Sequence, residues 1–150
     1  MSIYETDWVD AGDYKMHQTV IVEEGAKVGK NSILHHHVYV YSGAEIGENC
    51  KIQANNSICP GTKIGDNVFV GPGVIWTNVL RPRAFIENKK YEGVTVKDNA
   101  TIGGGACLKA GVVIGSAAMV GLGAVVLKDV EPYVTVLGNP ARIVNRTESK

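Results

Sequence analysis

The chain has 150 residues with 15 basic and 15 acidic side chains, enough for one domain and a sizeable core. The balanced charge excludes the footprint of a nucleic-acid binder, and three cysteines without CxxC spacing (Cys50, Cys59, Cys107) fit a reducing compartment better than a disulfide framework. No signal peptide or apolar run of membrane-spanning length is apparent, so a cytoplasmic protein without a membrane partner is expected.

Residues 1–15, with Tyr4, Trp8 and Tyr14 among acids, stand off the pattern that follows and are expected to cap an open end of the fold. Met16 lies six residues before Val22 and starts the first coil. From there every sixth residue is large and apolar: Val22, Val28, Leu34, Val40, Ile46, Ile52, Ile58, Ile64, Val70 and Trp76. Two residues before each sits a compact one, Val20, Ala26, Ser32, Val38, Ala44, Cys50, Asn56, Thr62, Val68 and Val74. This is the signature of a hexapeptide-repeat β-helix, an all-β fold of stacked parallel strands. Gly29-Lys30-Asn31, Gly47-Glu48-Asn49 and Gly65-Asp66-Asn67 recur 18 apart, and Asp98-Asn99 follows as the next member. Glycine and asparagine tolerate the positive φ of a tight corner, so three hexads make one triangular coil.

Ile64 to Val96 is 32 residues, one 18-residue coil and 14 more. The insertion, 79–93, is basic and does not fit inside a coil, so it is expected to protrude as a loop with a functional role. The register returns at Val96, Ile102, Leu108, Ile114, Val120 and Val126. It stops there, and the extension 129–150 reads as a strand, a Gly138-Asn139-Pro140 turn, a second short apolar segment and a polar end from Asn145. The whole of 1–150 is taken as a single domain.

Residues one coil apart stack, so the chain can be folded into columns. Trp76 should sit over Ile58 and under Leu108. Asn56 occupies an inward slot, where its amide must find partners and is expected to tie the coil backbone. His17, His35 and Gln53 form a column directed outward from a face. Asn78 stacks on Pro60, at the corner where the loop departs. His35-His36-His37 cannot converge on one ion, because side chains alternate in an extended segment, and the His17/His35 pair lacks a third ligand. No metal is expected.

The hexads with this tail resemble the left-handed β-helix hexapeptide acyltransferases, and the left hand of the helix is implied by that resemblance alone. Within them the chain is similar to the nucleotide-sugar 3-N-acetyltransferases, especially those acting on UDP-2-acetamido-3-amino-2,3-dideoxyglucuronate. The similarity covers roughly 20–144 and is carried by Lys51-Ile52-Gln53, Asn55-Asn56, Gly71-Pro72, Trp76-Thr77-Asn78-Val79 and Pro82-Arg83-Ala84. Asn99-Ala100-Thr101-Ile102-Gly103, the segment 121–128 and Gly138-Asn139-Pro140-Ala141-Arg142 complete it. The resemblance implies a homotrimer with acetyl-CoA as cosubstrate in the groove between adjacent copies, and a nucleotide-linked amino sugar as acceptor, for surface-polysaccharide precursor synthesis. It matches Asn78 to the asparagine at the reacting amine, Gln53 and Asn55 to polar residues lining the sugar site, and Arg83 and Arg81 to the loop cations. Gly103, Gly121 and Gly123 fall where backbone would meet pantetheine, and Lys128 and Arg142 where the phosphates of coenzyme A would lie. Two departures are visible. The chain is one coil shorter near 50–56 than the family pattern, and His35-His36-His37 replaces a tryptophan–histidine–aromatic stretch of which only the middle residue, His36, is kept.

Two other readings compete. A sugar O-acetyltransferase would need a histidine base, for which His36 or His35 is the candidate. A bare β-helical binding scaffold needs neither the basic loop nor the tail signature.

Overall fold

The structure, a computed structural model, describes residues 7–87 and 90–147; Tyr4 of the expected cap, Asn88 and Lys89 of the loop and the last three residues lie outside them. From Ile21–Val22 onward each hexad forms a strand of two residues in which the first points outward and the second inward, half-buried at Val22 and Val28 and buried from Leu34 to Val126, as period-two alternation requires. No helix is present among the described residues, and none is long and apolar enough to cross a membrane.

Three faces result, stacked into a parallel β-solenoid of about seven turns, consistent with a left-handed β-helix. The first face runs Lys15–His17, Ile33–Leu34, Lys51–Ile52, Phe69–Val70, Thr101–Ile102, Met119–Val120 and Val134–Leu137. The second carries Ile21–Val22, Tyr39–Val40 and Ser57–Ile58, then Ile75–Trp76, Cys107–Leu108 and Val125–Val126. The third holds Lys27–Val28, Glu45–Ile46, Lys63–Ile64, Thr95–Val96 and Val113–Ile114. Lys63 pairs with Thr95 and Phe69 with Thr101, so the ladders close across the insertion without a slip. Leu34, Ile52, Val70, Ile102 and Val120 stack as one fully buried column, each contributing about 1.5–3 kcal/mol of apolar burial.

Corner chemistry follows from the backbone. Asn31, Asn49, Asn67 and Asn99 all adopt φ between 56 and 62°, forming an asparagine corner between the third and first faces. At this corner Asp66 accepts from the Glu48 N–H and Asp98 from the Asp66 N–H, both at 2.8 Å. Between the first and second faces lies a histidine corner, where His37, Asn55, Gly73, Gly105 and Gly123 take positive φ in turn. Between the second and third is the loop corner, from which the insertion leaves.

Both ends of the first face are finished by antiparallel strands. Trp8–Asp10 folds back on Lys15–His17 with Trp8 opposite His17, and Arg142–Arg146 folds back on Val134–Leu137. The added strands pair edges that would otherwise stay open.

The second face departs from the regular stack. Its ladder is interrupted between Ser57–Ile58 and Ile75–Trp76, although Trp76 pairs regularly with Leu108. Here Asn56 points inward, fully buried, and its Oδ1 accepts from the Trp76 indole N–H at 3.0 Å. Its Nδ2 donates to the carbonyls of Gln53 at 2.9 Å and Gly71 at 3.0 Å. The amide ties backbone as expected and also anchors the largest inward ring, beside the root of the loop.

Candidate functional site

Asn78 is the first residue of the loop corner to leave the coil. Its Nδ2 donates to the Pro60 carbonyl one coil below at 3.1 Å, and its own carbonyl accepts from the Glu92 N–H at 2.8 Å, closing the loop at its base. With Nδ2 committed, Oδ1 has no donor among the described residues and is left as a fixed acceptor. Arg81 and Arg83 stand exposed on the loop, Arg83 donating to the Pro82 carbonyl at 2.9 Å. Phe85 is 90% exposed at the loop tip.

At the histidine corner, Asn55 is exposed and its N–H donates to the His36 carbonyl at 3.0 Å. Gln53 is half-buried; its backbone is engaged by Asn56 and its side-chain amide has no partner among the described residues. His36 stacks on His17 with ring centres 3.6 Å apart. His17 does not point into solvent as its column position suggests. It is 4% exposed, because Trp8 of the returning strand meets its edge at 6.0 Å while His36 covers its face. Its Nδ1 accepts from the Thr19 N–H at 3.2 Å and lies 2.8 Å from the Thr19 hydroxyl, leaving Nε2 buried without a partner among the described residues. Desolvation, then the neighbouring His36, hold its pKa below the ordinary value, partly opposed by Asp7. Burial, then Lys51, likewise lower the pKa of His35, whose ring meets Trp8 edge-on at 5.1 Å. Trp8 therefore restores an aromatic partner to the histidines from a different strand. The signal for it was the Asp10-Ala11-Gly12-Asp13 turn, with Gly12 at φ 93°, which makes 8–17 a hairpin.

Gly103 and Gly121 are constrained by stacking: a Cβ at Gly103 would lie 2.5 Å from the Leu122 nitrogen, and one at Gly121 2.6 Å from a Leu137 methyl. Gly123 instead has open space and φ 65°. The N–H groups of all three donate along the coil, to Val120, Val136 and Gly104 carbonyls at 2.7–2.9 Å, so their main chain can offer a ligand only carbonyl oxygens.

Lys128 and Arg142 come together at the C-terminal end of the prism, on a groove of about 410 Å³ that also includes Asp129 and Glu131. Those acids are engaged, Asp129 by the Val113 N–H at 2.9 Å and Glu131 by Arg146 at 2.8 Å. Both cations lack an ion pair among the described residues, a donor set suited to phosphate. No cluster of three or more His, Cys, Asp or Glu side chains among the described residues is placed to hold a metal ion.

The expected site residues therefore fall into three groups. Gln53, Asn55, His36 and the glycines share the histidine corner, Asn78, Arg81 and Arg83 share the loop corner, and Lys128 with Arg142 share the end groove. The second face separates the first two groups within one chain.

Comparison with known proteins follows this geometry. The family described as "Hexapeptide repeat of succinyl-transferase" matches residues 19–58 and 92–128, and "Bacterial transferase hexapeptide (six repeats)" matches 43–75. The structure of WeeI from Acinetobacter baumannii AYE is similar with a TM-score of 0.73 and 29% identity, over 87% of this chain and 57% of that one. A single-residue mutant of perosamine N-acetyltransferase from Caulobacter crescentus, in complex with CoA and GDP-perosamine, gives a TM-score of 0.71 at 25% identity, over 88% of this chain and 56% of that one. The dTDP-3-amino-3,6-dideoxy-alpha-D-galactopyranose 3-N-acetyltransferase of Aneurinibacillus thermoaerophilus is 50% identical over 48 residues, 32% of this chain and 25% of its own length. The chain spans less than two thirds of each of these proteins. With hexapeptide repeats matched over more than half its length, and stacked as those repeats require, the chain belongs to the hexapeptide-repeat transferase family.

Proposed function

We propose that this protein transfers the acetyl group of acetyl-CoA to the amine of a nucleotide-linked amino sugar, as a cytoplasmic homotrimer that supplies surface-polysaccharide precursors. The observation that carries the reading is Asn78: an amide locked through Nδ2 to the Pro60 carbonyl, with Oδ1 presented as an acceptor at the root of a loop bearing Arg81 and Arg83. The named activities of relatives in Caulobacter and Aneurinibacillus, both sugar N-acetyltransferases, support the same reaction.

Acetyl-CoA, when bound, would supply the thioester carbonyl: a C–N bond to the amine forms as the C–S bond breaks, and coenzyme A leaves as its thiol with the proton that the nitrogen loses. Asn78 Oδ1 accepts from the acceptor's N–H and holds the nitrogen lone pair in line, a positioning task for a nucleophile already reactive when neutral. Lys128 and Arg142 meet the coenzyme phosphates, while Arg83 and Arg81 meet a carboxylate on the acceptor's sugar. Gln53 and Asn55, whose side-chain amides have no partner among the described residues, offer them to sugar hydroxyls. Gly103, Gly121 and Gly123 lend carbonyls to the pantetheine amides. His36, stacked on His17 and hydrogen-bonded to no carboxylate among the described residues, lacks the orienting partner that a hydroxyl acceptor would demand, which favours N- over O-acetylation.

Two features support the homotrimer. The third face presents Lys27, Glu45 and Lys63 outward on its first three strands, with Lys27 and Glu45 paired at 3.5 Å, whereas the first and second faces expose Phe69, Met119, Ile21 and Ile75. Packing of copies through these apolar side chains would cover them and leave clefts between neighbouring prisms.

A thiol-release assay with acetyl-CoA against UDP-, dTDP- and GDP-linked amino sugars tests the reading. Release with one amine, with its hydroxyl analogue silent, is the expected result. Silence across the panel with acetyl-CoA still bound would reject the acceptor, and absence of coenzyme binding would reject the transferase.

A further inference from the structure

We propose that a groove beside the N-terminal hairpin holds the nucleoside diphosphate of the acceptor, with Lys15 and Lys51 on the diphosphate and Trp8 and Ile33 against the nucleoside. This rests on the transferase reading. The groove, of about 400 Å³, is lined by Trp8, Lys15, Ile33, His35 and Lys51. Lys15, Ile33 and Lys51 occupy the same position on three successive strands of the first face, so the two lysines flank the isoleucine about 10 Å apart at the backbone. Their four-carbon stems let both ammonium groups converge above it.

Neither lysine has an ion-pair partner among the described residues, and no acidic side chain occupies the equivalent outward position on the face above them, where Phe69, Thr101, Met119 and Thr135 follow. On the third face the corresponding lysine, Lys27, is neutralised by Glu45. Two unpaired cations over an apolar floor suit a dianion joined to a flat ring. Trp8, half-buried and braced edge-on by His35, supplies the rigid apolar wall, and His35 brings a buried Nε2 with no partner among the described residues to the lining.

Coenzyme A carries an adenosine diphosphate of the same chemistry, and position along the prism separates the two sources. Lys51 lies four strands below Thr135, about 19 Å from the end where Lys128 and Arg142 meet. Asn78 leaves the coil that follows Phe69–Val70, one strand above Lys51. The axial order is therefore groove, reacting amine, coenzyme phosphates, and the groove sits on the acceptor's side.

Calorimetric titration of the full chain with UDP, dTDP, GDP, inorganic pyrophosphate and coenzyme A tests this. Lys15→Ala/Lys51→Ala is compared with the charge-matched Lys27→Ala/Lys63→Ala, folding of each being checked by thermal melting. At least one nucleoside diphosphate should bind wild type, weaken about tenfold or more in the first variant and not in the second, with coenzyme A unchanged. Trp8→Ala should weaken the nucleotide and leave pyrophosphate unaffected. Nucleotide binding that is absent or indifferent to both lysines overturns the proposal, as does weakening of coenzyme A instead. Lysine-dependent nucleotide binding without thiol release from any amine would leave the groove standing and remove the transferase reading.

Discussion

At Asn56 a single buried amide holds three neighbours: the Gln53 and Gly71 carbonyls and the Trp76 indole. Truncation leaves those groups unpaired around a cavity, so Asn56→Ala should lower stability by about 2–4 kcal/mol in urea unfolding. Trp76→Phe keeps an aromatic ring but leaves a gap where the larger indole lay and orphans the Asn56 Oδ1, and should cost about 1–3 kcal/mol. Asn78 obeys a different logic, because its Oδ1 has no donor among the described residues and, in the proposed reading, meets the acceptor amine. Asn78→Ala should reduce kcat with the amine about 10–100-fold while the affinity for acetyl-CoA, measured by calorimetry, stays unchanged. His36→Ala should retain turnover, since the amine needs no base. Loss of turnover there with the fold intact would return the histidine-base reading.

Two histidines, His17 on the N-terminal hairpin and His35 packed against its Trp8, tie stability to pH. His17 and His35 both have lowered pKa values, chiefly through desolvation, so the folded chain binds fewer protons than the unfolded one just below pH 6.5. Stability is therefore full above that value and falls on acidification toward the folded pKa values. The melting temperature should drop between pH 7.5 and 5, and His17→Gln should flatten the drop; an unchanged slope would show that other groups govern it. The glycines offer a contrast in kind. Gly103→Ala pushes a methyl into the Leu122 backbone, whereas Gly123→Ala has space and meets only its positive φ, so the first should destabilise more than the second, which should cost about 1–2 kcal/mol. Such elements differ in how far the amino acids announce them. The strands were legible because Leu34, Ile52 and Val70 repeat an inward position 18 residues apart, and the corners because Asn31, Asn49 and Asn67 repeat a backbone need. Trp8 covering His17 was not, because a single hairpin has no repeat to register it. Nor was the Trp76–Asn56 bond, in which two inward columns meet across the interior.

At the scale of the whole molecule, the distribution of the candidate site is itself an argument about assembly. Each prism carries an acceptor amide at the loop corner and unpaired amides at the histidine corner, separated by a face bearing exposed Ile21 and Ile75. In the proposed trimer that face packs against a neighbouring copy. Ile75→Glu buries a charge in such an interface and should convert the trimer to monomer in light scattering, with activity lost in parallel. Complementation separates shared clefts from mere stabilisation. Asn78→Ala and a Gln53→Ala/Asn55→Ala variant should each be nearly inactive alone. If a cleft draws its loop corner and its histidine corner from different chains, equal random mixing after reversible dissociation should rebuild about a quarter of the clefts with both halves intact. Recovery of activity in the mixture is the expected result. Persistent silence in verified mixed trimers would mean that each chain holds its whole site, and that the exposed faces serve assembly alone.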